Sequence, residues 1–376
     1  MQRIPYIDTT RGLLLALMAI DHVRAFVHKS HPSEWWGVGL PEYHGDLIAF
    51  ITRLITHACP TGFFFLMGVS MSLYVIAMEE QNSNIDPRKY FAVRGSVLIL
   101  LQLFIVNAAW LFGGMSAEMP KENYGVNLVP GSGEQIFIYI GVLAALGLSM
   151  IVSSFLLQMR SLYLLIVFFL VEFGSVFLIA NGVPETDTVV VLRVFGVPGQ
   201  SGAWMVRYSL LPWMGLTLLG IIIGRLISKN KATASHFTIA ASVLFFMFVG
   251  LRFLNLGDYN QQVESGVIGF FNTTKYPASL VYQLFALSIV FIMIAITIRW
   301  PGRWQAPLMT LGKATLFFYV SHLYLYGAIG YLFPMGGGWM YVFLSWLVGL
   351  FVLWFGCSWW SNKKRLKPKS HLIHLF

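Results

Sequence analysis

A chain of 376 residues that is 57% hydrophobic and 11% charged cannot cover a water-facing surface, because a soluble domain carries roughly 25% charged residues. Its formal charge of +9 is spread over short connections between apolar runs, which excludes a basic nucleic-acid-binding face. Its two cysteines, Cys59 and Cys357, both lie in apolar runs, which excludes a disulfide framework and a cysteine zinc site.

A helix that crosses lipid needs about 20 mostly apolar residues. Ten such runs are predicted, over 10–28, 53–78, 91–113, 134–156, 161–181, 208–228, 236–256, 277–298, 308–333 and 339–360. The fold class is therefore all-α, a polytopic transmembrane bundle forming a single integral membrane domain over 1–376. The basic stretch 361–376 reads as a cytoplasmic tail touching anionic lipid. With the N-terminus inside, seventeen of the Lys and Arg residues fall on its side and eight on the other. That asymmetry predicts cytoplasmic N and C termini. The first run ends in Asp21 and His22 without a small-residue cleavage site, so it is expected to stay as a helix.

Each ionisable group inside a membrane span needs a physical reason. In the first span, RGLLLALMAIDH (11–22), Arg11 and His22 share one helix face about 16 Å apart along the axis. Asp21 lies three residues before Arg24 and is expected to pair with it, while Asp8 is placed to cap the helix start. In the second span His57 precedes Pro60, which frees a backbone carbonyl and predicts a local break. Gly68, Ser70 and Ser72 suit close helix contact. His28, His31 and His44 follow the first span in a loop where histidines are usually solvated. Arg252, Lys275 and Tyr276 gather with Asp258 at the outer ends of the seventh and eighth spans, as candidates for holding a polar acceptor. In the ninth span Lys313 lies about 14 Å below His322. A count of 100° per residue puts those two on opposite faces, while Tyr319 and Tyr326 flank His322 on its own face. His22, His57 and His322 are expected to converge on one polar cavity, with no metal, since carboxylate partners at ligand spacing are missing.

Five blocks in order, IDTTRGLLLALMAIDHVRAF (7–26), RLITHACPTGFFFLMGVS (53–70), LLPWMGLTLLGIIIGR (210–225), FFNTTKYPASLVYQL (270–284) and LGKATLFFYVSHLYLY (311–326), resemble the bacterial membrane proteins related to heparan-alpha-glucosaminide N-acetyltransferase. The Arg-x10-His spacing also resembles the signature of the membrane acyltransferase family three proteins. The resemblance implies transfer of an acyl group, acetyl first among them, from cytoplasmic acyl-CoA to an amine or hydroxyl of an envelope glycan or lipid acceptor. It implies a bacterial inner (cytoplasmic) membrane location, acyl-CoA as co-substrate and no permanently bound cofactor. A histidine then acts as general base or acyl carrier; in the eukaryotic acetyltransferase the catalytic histidine lies in the loop after the first helix, a region where this chain offers His31. The choice among His22, His57, His322 and His31 stays open, with His22 preferred for its Arg11 face. Arg11 and Lys313 are suited to CoA phosphates.

Two rival readings are a transporter or flippase for a small polar or lipid-linked substrate and a non-catalytic envelope-assembly protein. Transporters often carry inverted repeats, and none is evident here. A polar passage from Arg11 to His22 speaks for transfer, and a pocket sealed alternately from either side speaks for transport. Assembly as a homo-oligomer stays open.

Overall fold

The computed structural model describes residues 4–31, 33–36, 39–81, 85–114, 138–181, 189–262 and 265–367. Most of the predicted outer loop 114–133, the start of the loop 182–207 and the end of the basic tail lie outside the described residues. Every predicted span overlaps helix, although the run 134–156 includes strand Ile138–Ile140 before its helix begins at Val142, and its first residues lie outside the described ones.

The first helix, α1, covers Pro5–Val23 and continues through a wider π-helical turn, Arg24–His28, that ends at Lys29 in left-handed geometry. Pro5 stands at the first helical position, where a missing N–H costs nothing. No side chain caps this helix. Asp8 instead accepts from Arg11 at 2.9 Å, which corrects its expected capping role.

The second span is α2 (Leu47–Thr56) followed by α3 (Ala58–Glu80), with the break at His57 as Pro60 requires. Next come α4 (Pro87–Leu101), a π turn over Gln102–Val106 and α5 (Asn107–Gly114). Strand β1 (Ile138–Ile140) leads into α6 (Val142–Leu156), then α7 (Ser161–Ala180) and the short α8 (Val190–Phe195). Strands β2 (Gly199–Ser201) and β3 (Trp204–Val206) complete a small sheet ordered β1-β3-β2, with β1 parallel and β2 antiparallel to β3. The chain ends with α9 (Leu210–Ser228), α10 (Ala234–Phe253), α11 (Gly266–Phe271), α12 (Leu280–Arg299), α13 (Gln305–Lys313), α14 (Thr315–Gly330) and α15 (Trp339–Arg365).

Among the described residues seven helices are long and apolar enough to cross a membrane: Leu47–Glu80, Pro87–Gly113, Ser161–Ala180, Leu210–Ser228, Ala234–Phe253, Leu280–Arg299 and Trp339–Arg365. Large apolar side chains on α7 and α10, such as Phe173 and Phe246, point outward, while α9 and α12 are mostly buried. Apolar outside and hydrogen-bonded inside is the arrangement lipid demands, and the protein is a multi-pass membrane protein.

Two close crossings set the geometry of the interior. A Cβ on Gly12 would come within 1.9 Å of the Leu308 carbonyl oxygen, and one on Gly312 within 1.9 Å of that of Asp8, so α1 and α13 touch backbone to backbone. Gly68 and Gly220 do the same for α3 and α9, as small residues do at helix contacts in lipid. The α1–α13 crossing brings Lys313 to Arg11. Between α13 and α14 the chain breaks at Ala314 (φ −115°, ψ 38°). A count of 100° per residue does not carry across that break, so the expected opposite facing of Lys313 and His322 has no continuous helix to rest on.

Candidate active site

Two neighbouring cavities share part of their lining inside the bundle. The larger, about 420 Å³, has Asp8, Arg11, Arg94, Lys313 and Lys364 around the helix ends nearest the two termini, and apolar walls from Leu15, Met67, Met71, Leu98 and Leu143. The smaller, about 50 Å³, lies at the far end of α1 and is lined by Asp21, His22, His31, Arg207, Lys275 and Tyr276 among others. Phe63 and Tyr319 line both, so these two rings stand between the cavities. Together they span the ~16 Å rise from Arg11 to His22. The expected continuous polar passage is not what the linings show, since the residues between the two charged ends are apolar. Arg11 donates to Asp8 at 2.9 Å and to Ser70 at 2.8 Å, which holds its guanidinium at the mouth.

At the inner end, His22 Nδ1 lies 2.5 Å from His322 Nε2. His322 Nδ1 is 3.0 Å from the Phe318 carbonyl, which only accepts. Proton positions follow by assignment through this network. His322 therefore carries its proton on Nδ1 and accepts at Nε2 from His22 Nδ1–H, and neutral His22 keeps Nε2 as its one acceptor. Trp110 meets the His22 ring edge-on at 5.3 Å. Tyr319 and Tyr326 flank His322 with ring centres 5.6 and 6.3 Å away, the shared face that their spacing predicts.

The expected pairing of Asp21 with Arg24 is not formed. Asp21 accepts from Arg53 Nη1 at 2.6 Å, while Arg24 donates to the Ala49 carbonyl and lies over Trp339. The reason is reach: the π turn beginning at Arg24 redirects that side chain, and Arg53 enters from α2. Arg53 also grips Glu34 with two bonds of 2.7 Å, the planar two-point geometry that suits a guanidinium. Glu34 is fully buried and also accepts from His57 Nε2 at 3.2 Å. Its main-chain carbonyl accepts from the amides of Lys275 and Tyr276, at 3.1 and 3.0 Å. One residue thus ties the first loop, the α2–α3 break and the segment before α12 into a single wall.

His31 is not solvated as loop histidines usually are; its side chain is 7% exposed. Its Nε2 lies 3.6 Å from Asp21 and its Nδ1 3.4 Å from Arg207 Nη2. Burial pushes its pKa down to about 4, with the Asp21 carboxylate opposing and Arg207 adding to the fall. Burial would raise the Glu34 carboxyl, but Arg53 and His57 hold it well below its usual range. For Tyr276, burial alone would raise the phenol, yet Arg207, Lys275 and Arg53 bring it down to about 8.

Of the sequence candidates, the structure brings together His22, His31, His322, Lys275 and Tyr276 at the inner chamber, and Arg11 and Lys313 at the mouth. His57 does not join His22 and His322: it sits behind the chamber wall on Glu34, with its ring 5.1 Å from Tyr282. Arg252 is apart from the chamber, bonded to Asp258 and to the carbonyls of Gly269, Phe270 and Asn272, where it fastens the loops around α11. Sequence reasoning missed Glu34, Arg53 and Arg207. A signal was present, because Arg24, Lys29, Arg53, Arg193, Arg207, Arg252 and Lys275, the described cations assigned to the outer side, are all buried. A cation kept on the side that charge retention disfavours is kept for an internal contact.

The family described as heparan-alpha-glucosaminide N-acetyltransferase, catalytic, matches residues 3–256. That range holds Arg11, Asp21, His22, His31, Glu34, Arg53 and Arg207, and ends before Lys275, Lys313 and His322. No curated protein matches the chain.

Proposed function

The chain belongs to the heparan-alpha-glucosaminide N-acetyltransferase catalytic family, a family of membrane acetyltransferases, and on that premise we propose that it moves an acetyl group from cytoplasmic acetyl-CoA to a hydroxyl or amine of an envelope glycan or lipid at the far side of a bacterial inner membrane. The observation that supports this is the pair of neighbouring cavities, a basic one at the mouth and a histidine-lined one beyond it, with Phe63 and Tyr319 lining both. A long thioester can enter at the basic mouth and present its carbonyl among the histidines. Arg11 and Lys313 take the phosphates as charge-assisted contacts, and the apolar middle excludes water from the thioester.

His31 is the proton acceptor in this proposal. It is the histidine of the chamber with a carboxylate beside it, and it stands in the loop after the first helix, where the resemblance puts the catalytic histidine. Asp21 orients the ring through Nε2–H and stabilises the imidazolium, as the third member of a triad does. The acceptor oxygen or nitrogen attacks the thioester carbonyl carbon and gives its proton to His31 Nδ1, displacing the long 3.4 Å contact that Arg207 Nη2 makes with that nitrogen. The resulting oxyanion takes hydrogen bonds from Lys275 and the Tyr276 phenol. Collapse breaks the C–S bond, and the leaving thiolate takes the proton from His31.

A second reading gives the base role to His22, favoured by its one open acceptor nitrogen, Nε2. Acetyl-CoA binding and acceptor-dependent thiol release by the purified protein test the function. Loss of transfer in His31→Ala with His22→Ala still active supports the first assignment, and the reverse pattern supports the second. A protein that binds no acetyl-CoA overturns the proposal.

A further inference from the structure

One face of the last helix changes character twice along its length. Phe351, Phe355, Ser358, Asn362 and Arg365 follow one another on α15 at alternating steps of four and three residues, the spacing that keeps side chains on one side of a helix. Phe351 and Phe355 are 64% and 53% exposed. On a helix long and apolar enough to cross a membrane, such rings meet acyl chains. About one turn further the face turns to hydroxyl and amide, and it ends in a cation. Beside it stands Trp359, 54% exposed, with Lys363 Nζ 5.5 Å over its ring. Exposed tryptophans of this kind mark the boundary between membrane and water.

At that boundary α13 and α15 enclose a groove of about 550 Å³. Thr310 and Lys313 line it from α13, and Ser358, Ser361, Lys364 and Arg365 from α15. All of its lining residues are polar, three are cations and none is a carboxylate. The chain has no Asp or Glu after Glu264, so neither helix brings a counter-charge of its own. Arg365 donates to the side-chain oxygen of Asn362 on its own helix, which holds the guanidinium on the groove side.

We propose that this groove binds the headgroup phosphate of an anionic phospholipid, whose acyl chains lie along Phe351 and Phe355. Apolar ring, hydroxyl and cation follow one another along α15 as acyl chain, glycerol ester and phosphate do along a phospholipid. The column from Phe351 to Arg365 rises ~21 Å, about half of the ~40 Å that a bilayer measures with its headgroups. Lys313 and Arg365 meet the phosphate from two helices as charge-assisted contacts, and the serine hydroxyls donate to the ester oxygens. A soluble phosphate would use the cations alone, and a zwitterionic headgroup finds no carboxylate for its ammonium. Lys313 and Lys364 also line the larger cavity, so the lipid stands beside its mouth. Arg365 lines the groove and not that cavity, which makes it the residue to change.

The test is thermal unfolding of the full chain in neutral detergent at fixed ionic strength, titrated with phosphatidylglycerol, phosphatidylcholine or soluble glycerol 1-phosphate. A ligand of the folded protein raises the midpoint in a saturable way. Phosphatidylglycerol does so, and the other two at the same concentrations do not. Arg365→Gln lowers the phosphatidylglycerol affinity at least about tenfold, the loss of a charged hydrogen bond, and Arg365→Lys retains part of it. Arg88→Gln, which removes the same charge at the start of α4 outside the groove, leaves the affinity unchanged. No saturable rise with phosphatidylglycerol, an equal rise with phosphatidylcholine, or equal losses in Arg365→Gln and Arg88→Gln overturns the proposal. A rise with glycerol 1-phosphate equal to that with the lipid gives the groove to a soluble phosphate and overturns it as well. Acetyl-CoA affinity is unchanged in Arg365→Gln, and a parallel loss there assigns the groove to the donor instead. The lipid titrations decide the matter whether or not the protein binds acetyl-CoA, so this proposal and the transfer reading fail separately.

Discussion

His22 and His322 stand 300 positions apart in the chain and share a ring-to-ring hydrogen bond of 2.5 Å. The Phe318 carbonyl orders the pair by holding the His322 proton on Nδ1. His322→Phe removes the acceptor of the His22 Nδ1–H and is expected to lower the transfer rate. His322→Gln, whose amide oxygen can accept that N–H, is expected to restore part of it. Equal rates in the two variants would show that the pair contributes packing alone.

His31→Ala is expected to lower kcat by roughly 10²–10⁴-fold, the usual worth of a general base, with acetyl-CoA affinity unchanged. Stopped turnover together with a lost donor affinity would mean that His31 shapes the passage rather than the chemistry.

The pH profile of kcat/KM follows from two groups. His31 must be neutral to take a proton, and with its pKa near 4 it gives an acid limb in that region. Tyr276 must be protonated to donate, and with its pKa near 8 it gives an alkaline limb there. The profile of the free enzyme is thus a bell between these values. Tyr276→Phe is expected to remove the alkaline limb. Asp21→Asn removes the charge that raises the His31 pKa, so the acid limb moves to lower pH.

Arg11→Ala is expected to weaken acetyl-CoA binding by about 1.5–3 kcal/mol, the worth of a hydrogen bond to a charged group. Titration of the donor measures this directly. Unchanged affinity would return Arg11 to its role in the Asp8–Ser70 contact.

Glu34→Gln leaves the Arg53 guanidinium with one carboxylate instead of two inside the protein. Breaking a buried pair costs about 3–5 kcal/mol, so the unfolding midpoint should fall clearly in a detergent melt. A midpoint within error of the native protein would show that water replaces the lost contact.

The sequence by itself determined the solvent and the architecture. A chain that is 57% hydrophobic and 11% charged reads as a polytopic helical bundle, and each predicted run overlaps helix in the structure. The break before Pro60 was equally legible, because proline removes a backbone hydrogen bond wherever the fold places it. These features depend on a few neighbouring residues and on lipid, so they are written locally. His22 was visible as a histidine in the wrong solvent and His31 only through the family resemblance, but their partners were not. Asp21 looked bound to Arg24 because spacing along one helix was the only ruler, and the chain chose Arg53 from another helix. Glu34 and Arg207 look like ordinary loop residues until the first loop and the turn after β3 fold over the chamber. Only the tertiary structure decided which charges meet, because a pair buried away from water is set by how helices cross and where their ends arrive, and no local spacing encodes that.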